Sequence, residues 1–132
     1  MAYGSSGVVD ITLKSAEDMT TKQYYFVTMG TVEFEAALAD GTAGAQATIG
    51  ILQNKPNTGE EAIVRVLGIS KLEMSQGSLS PGAVITADGS GTGEQADADA
   101  EWGNAILMND SAASTKSTVL VLPMGWLGKS DA

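Results

Sequence analysis

Carboxylates are the most numerous reactive side chains in this sequence, and they cluster at a few places. Glu33 and Glu35 fall on one face of an alternating segment, an arrangement from which paired carboxylates could cleave a glycosidic bond. Asp97, Asp99 and Glu101 stand at alternate positions, as at the start of a calcium loop. The glycine and the bidentate glutamate such a loop requires further on are missing. Residues 88–94, DGSGTGE, have the glycines of a phosphate cradle but not the Gly-Lys-Ser/Thr ending that contacts phosphate and magnesium. Ser70-Lys71 suggests a Ser–Lys dyad, yet successive strand residues point to opposite faces, which keeps hydroxyl and amine apart. Histidine and cysteine are both absent, which removes the usual triads, imidazole metal sites and thiolate nucleophiles. A solvated strand face and an acidic loop account for these carboxylates. The expectation is a protein that is not an enzyme, with no catalytic, metal-binding or cofactor-binding residues.

Composition narrows the partners. The 132 residues carry 16 acidic and 7 basic side chains, a formal charge of −9. Nucleic acid is therefore not an expected partner, because phosphate neutralisation needs clustered Lys and Arg. Such a balance suits a protein kept soluble at high concentration, or one that meets a basic or polar protein surface. Residues 83–110 alone hold six carboxylates (Asp88, Glu94, Asp97, Asp99, Glu101, Asp110) and no basic residue. No apolar run approaches the roughly 18–20 residues that span a bilayer. The opening MAYGSSGVVD has neither the basic nor the apolar region of a secretory signal. Synthesis and use in a cytoplasm, with no membrane partner, is the expectation.

The elements that would position any contact residue are strands. Residues 1–7 are small and Gly/Ser-rich, with one aromatic, Tyr3, and read as a flexible arm. Residues 8–14 alternate, placing Val9, Ile11 and Leu13 on one face behind Val8. Residues 22–29 read as a buried strand, and residues 31–36 as a half-buried one with Thr31, Glu33 and Glu35 wet and Val32, Phe34 and Ala36 inside. Residues 62–67 and 69–74 read as two strands punctuated by Gly68, and Ser80-Pro81-Gly82 as a turn. Residues 94–101 admit either a helical turn or a loop. No window keeps a helical period over three turns. The fold expected is all-β: a small compact barrel of short strands, residues 15–132, behind an extended N-terminal arm, residues 1–14.

Residues 50–68 return at residues 105–123 at a constant spacing of 55. Ile51, Leu52 and Asn54 match Ile106, Leu107 and Asn109; Val64, Val66 and Leu67 match Val119, Val121 and Leu122. A strand–loop–strand unit used twice is implied, with the valines on its core face. The copies differ where Arg65 is replaced by Leu120, and in the loops NKPNTGEE and NDSAASTK, which marks both as candidate contact surface. Trp126 is a further candidate, since large aromatics near flexible chain ends often anchor contacts, and Trp102 is another, since with Trp126 it could supply an aromatic platform.

Asp40-Gly41-Thr42, Gly50-Ile51-Leu52, the Val-rich residues 63–68, residues 71–74, Pro81-Gly82 and Asp88-Gly89 follow in an order that resembles the decoration (cement) proteins of tailed-phage capsids. The likeness covers residues 40–91 well and the second unit loosely. It implies a compact barrel that forms homotrimers on the outer surface of the virion, after assembly in the host cytoplasm. The partner implied is the major capsid protein, reached by the N-terminal arm through Tyr3, Val8, Val9, Ile11 and Leu13. Such an arm pairs its backbone with an exposed strand edge of the shell. The alternative is another virion-surface β-module, a head-fibre base or a glycan-binding domain.

Overall fold

The computed structural model describes residues 7–40, 47–96 and 103–122. Among them are nine strands: β1 (Val9–Ser15), β2 (Phe26–Met29), β3 (Glu35–Leu38), β4 (Thr48–Leu52), β5 (Glu61–Met74), β6 (Val84–Ala87), β7 (Gly93–Gln95), β8 (Ala105–Leu107) and β9 (Thr115–Val121). The described residues are all-β, as expected. The strands run in the order β1-β3-β2-β4-β5-β7-β6-β8-β9, with β1 and β9 each pairing back onto β5. Two rings of five strands therefore close on the 14-residue β5, one on its first half and one on its second. Closure removes the unpaired edges that a flat sheet of short strands would leave.

The two rings are the same structure. In each, the first strand runs antiparallel to the last and parallel to the third, and the second lies between the third and fourth. Thus β1-β2-β3-β4 and the first half of β5 correspond to the second half of β5, β6, β7, β8 and β9. Register fixes the correspondence residue by residue: Leu13 with Leu72, Val27 with Ile85, Ala36 with Gly93, Leu52 with Leu107 and Val64 with Val119. The spacing shortens along the unit from 59 to 58, 57 and 55 residues, and the repeat at 55 is its closing hairpin. There the asparagines do the same work. Asn54 Oδ1 accepts the Ile63 N–H at 3.0 Å, and Asn109 Oδ1 accepts the Thr118 N–H at 3.1 Å.

Each ring has its own core. Met19, Val27, Ala36, Leu52, Ala62 and Val64 fill the first. Leu72, Met74, Ile85, Leu107, Val119 and Val121 lead the second, joined by Phe26 and Ile51 from the outside of the first ring. Those two side chains weld the units together.

Five readings change with the structure in hand. Residues 22–25 are not strand: β2 begins at Phe26, and Tyr24 just before it holds φ of +70°. Residues 8–14 are not part of a free arm: Val9–Ser15 form β1, whose pairing with β3 and β5 closes the first ring. Residues 62–67 and 69–74 are one strand, because Gly68 takes φ of +112° without breaking the ladder. A Cβ at Gly68 would sit 2.5 Å from the Gly7 carbonyl oxygen, so only glycine lets the entering chain cross there. Residues 31–34 are a loop rather than a strand. Gly30 donates its N–H to the Glu35 carbonyl and Glu35 to that of Val32, which folds the segment back and turns Val32 and Phe34 outward. Residues 93–95 are strand β7. Tyr3, Trp102 and Trp126, with Asp97, Asp99 and Glu101, lie outside the described residues.

Candidate functional site

The positions that suggested chemistry serve the local structure. The Ser70 hydroxyl is buried, donates to the Lys71 carbonyl at 2.8 Å and accepts from Gln53 Nε2 at 2.9 Å. Glu33 sits in the 31–34 loop and Glu35 in β3, so they do not share a strand face. In the glycine-rich loop the Asp88 carboxylate itself takes the N–H groups of Ser90 (2.8 Å) and Thr92 (3.1 Å) and the Thr92 hydroxyl. A phosphate would have to displace it. Burial opposes ionisation of Asp88, but hydrogen bonds from Ser75, Thr92 and Ser90 outweigh burial and hold its carboxyl below the ordinary range. Among the described residues no group of three or more Asp, Glu, His or Cys could hold a metal ion.

What the surface offers instead is apolar. Among the described residues the large exposed hydrophobic ones are Val9 (46%), Ile11 (38%), Val32 (59%), Phe34 (74%) and Met108 (46%). All but Met108 belong to the first unit, at the beginning of β1 and in the 31–34 loop. Leu13, opposite Ala62, is half-buried against the first core, whereas Ile11, opposite the core residue Val64, lies on the same face beyond the point where the ring encloses it. A bulge between Val9 and Asp10 sets Val9 opposite Leu67 and breaks the expected alternation there. Phe34 holds φ of +60°, unusual for an aromatic, and lines an open groove with Thr12, Leu13, Lys14, Gly59 and Glu61.

The remaining candidates are placed as follows. Val8 is half-buried and passes over Gly68. Arg65 clamps β1 to β5: Nε and Nη2 bond both Asp10 oxygens at 2.8 and 3.0 Å, and Nη1 reaches the Ile69 carbonyl at 2.9 Å. That fork to Asp10 raises the guanidinium pKa above its ordinary value against a smaller opposing effect of burial. Leu120, its counterpart in the second unit, is half-buried opposite Ile106 and Ile69. With Val84, which pairs with Ile106, it forms an apolar row across β6, β8 and β9.

Of the residues the sequence singled out on β1, Val9 and Ile11 are exposed and Leu13 packs against the first core; the exposed Val32, Phe34 and Met108 were not singled out. The alternation around Phe34 signalled burial, and nothing local announced a positive φ. Met108 was detectable only by its correspondence with Gln53.

The fold has a counterpart on a phage head. It is similar to the head fiber gp8.5 N base of bacteriophage phi29, with a TM-score of 0.62 over 86% of this chain and 93% of that one. Sequence identity is 12%, so the likeness establishes a common fold. No protein-family model and no curated protein matches the chain.

Proposed function

We propose that this protein is a decoration (cement) protein of a tailed-phage head. Copies bind the outer surface of the shell as a trimer and bridge neighbouring major capsid protein subunits against internal pressure. The likeness of fold to a head-fibre base, over nearly the whole of both chains, carries the reading. The order of motifs across residues 40–91 supports it from the sequence side. The role is mechanical, with no catalytic step and no cofactor.

Because β1 is consumed in closing the first ring, backbone pairing with the shell falls to the residues ahead of it, with Tyr3 and Val8 as side-chain contacts. Attachment at three points makes modest single contacts durable. A second reading, the base of a head fibre, is favoured by what the structural counterpart is. It shares attachment to the shell and differs in what stands above it.

The test is co-sedimentation of the purified protein with heads of its own phage stripped of surface proteins. Saturable binding in multiples of three, with DNA retained to higher temperature, is expected. Absence of binding at saturating concentration would overturn the reading, and a requirement for a second, fibrous chain would select the fibre base. Removing residues 1–7 leaves β1 intact, and should abolish attachment while the barrels still fold.

A further inference from the structure

The first unit already performs a docking reaction on the second. The leading end of the second unit, where its first strand begins, is covered by the trailing face of the first. Phe26 and Ile51 enter the second core, and the Gln53 amide bonds the Ser70 hydroxyl at 2.9 Å. Residues on the covered end are correspondingly small. A Cβ at Gly91 would meet Leu38 Cδ1 at 2.8 Å.

Among the described residues the same two surfaces recur uncovered at the ends of the pair. Ser70 corresponds to Ile11, and Gly91, at φ +81°, to Phe34, at φ +60°. On the trailing side Phe26, Ile51 and Gln53 correspond to Val84, Ile106 and Met108. Phe26 and Ile51 are fully buried, whereas Val84 and Ile106 are half-exposed and Met108 is exposed. The chemistry changes on both partners together. Inside the chain a polar Gln53 meets a polar Ser70; at the free ends an apolar Met108 is matched by an apolar Ile11.

The geometry points to a second copy of this chain as the occupant: the trailing face of one copy's second unit, around Val84, Ile106 and Met108, seats on the leading end of the next copy's first unit, around Ile11 and Phe34. The contact is heterologous, so it leaves one free surface of each kind at the ends of any open chain and satisfies all of them when the chain closes into a ring. Replacing Ser70 and Gly91 by Ile11 and Phe34 sets a wider separation than the intrachain contact and gives the interface an aromatic anchor. This deepens the trimer proposed above by naming its two faces, but it is tested without any shell.

The chain has no cysteine, so engineered thiols report without background. Ile11→Cys and Met108→Cys proteins, each checked for an unchanged melting temperature, are mixed under mild oxidation. Cross-linked dimers are expected from the mixture, and little product from either protein alone. The double variant should give closed oligomers with no free thiol. Homodimers from Ile11→Cys alone, or mixed yields no higher than with a distant Thr58→Cys control, would overturn the head-to-tail contact. Independently, sedimentation of Ile11→Ser or Met108→Gln should show self-association weakened roughly tenfold or more relative to the parent. An unchanged association constant would likewise contradict the proposal, while leaving shell binding to its own test.

Discussion

The leading ends of the two units share a strand topology and carry opposite surfaces. In the second unit this end carries Gly68, Ser70 and Gly91, and the first unit lies on it. In the first unit the matching positions are Val9, Ile11 and Phe34, all exposed. Side-chain size therefore follows the available space: small where the chain covers itself, large and apolar where it does not. Exposed apolar residues scattered singly are ordinary on a protein surface. Residues that replace glycine and serine at structurally equivalent positions are not scattered, and their common feature is the missing neighbour.

The largest expected effect breaks this comparison at its tightest point. Gly68→Val puts a branched side chain at φ +112° and against the Gly7 carbonyl, and should cost about 3 kcal/mol or more in urea unfolding. Val9→Gly, the reverse change at the open end, should cost no more than about 1 kcal/mol. Comparable losses would mean the two ends are not differently packed.

Next come the cores. Val64→Ala and Val119→Ala remove equivalent, fully buried side chains and should each cost about 2 kcal/mol. Measured at one protein concentration, so that association contributes equally, the two should agree within about 1 kcal/mol. A lopsided pair would show that the rings share a topology but not a packing arrangement. The hairpin asparagines refine the comparison. Asn54 also donates to the Glu61 carbonyl at 2.8 Å, so Asn54→Ala should cost about 1 kcal/mol and Asn109→Ala less.

The smallest effect is electrostatic. Asp88 has a depressed pKa, so its contribution is present above the ordinary carboxylate value and lost as pH falls through the depressed one. Asp88→Asn should therefore destabilise by less than about 1 kcal/mol at pH 7, with the difference from the parent fading as pH falls through the depressed value. A difference that persisted undiminished in acid would assign the loss to shape rather than charge. Gly30 stands at the matching turn of the first unit and offers no such dependence.

How much of this was legible follows from the same comparison. The closing hairpins kept Ile-Leu-x-Asn and the core valines because their contacts are internal to each unit, and the repeat at 55 could be read directly. The other three-fifths of the duplication was hidden for two reasons. Loops of different length shift the spacing from 59 to 57 along the unit, so no single offset aligns it. Neighbours then rewrite the chemistry at equivalent places, turning Ile11 into Ser70 and Phe34 into Gly91. For the same reason Gly68 read as a break between strands: its demand comes from Gly7 and Val8, far away in sequence. The exposed apolar surface was half legible. β1 was marked by its alternation, whereas Phe34 and Met108 needed the fold to expose them.

A cryo-EM reconstruction of the protein mixed with the phage heads proposed as its target tests the central claim most directly. The account predicts three copies around each occupied site, with Ile11 and Phe34 of every copy buried beneath Val84, Ile106 and Met108 of the next. Isolated copies, or a trimer that leaves the Ile11 end in solvent, would contradict it.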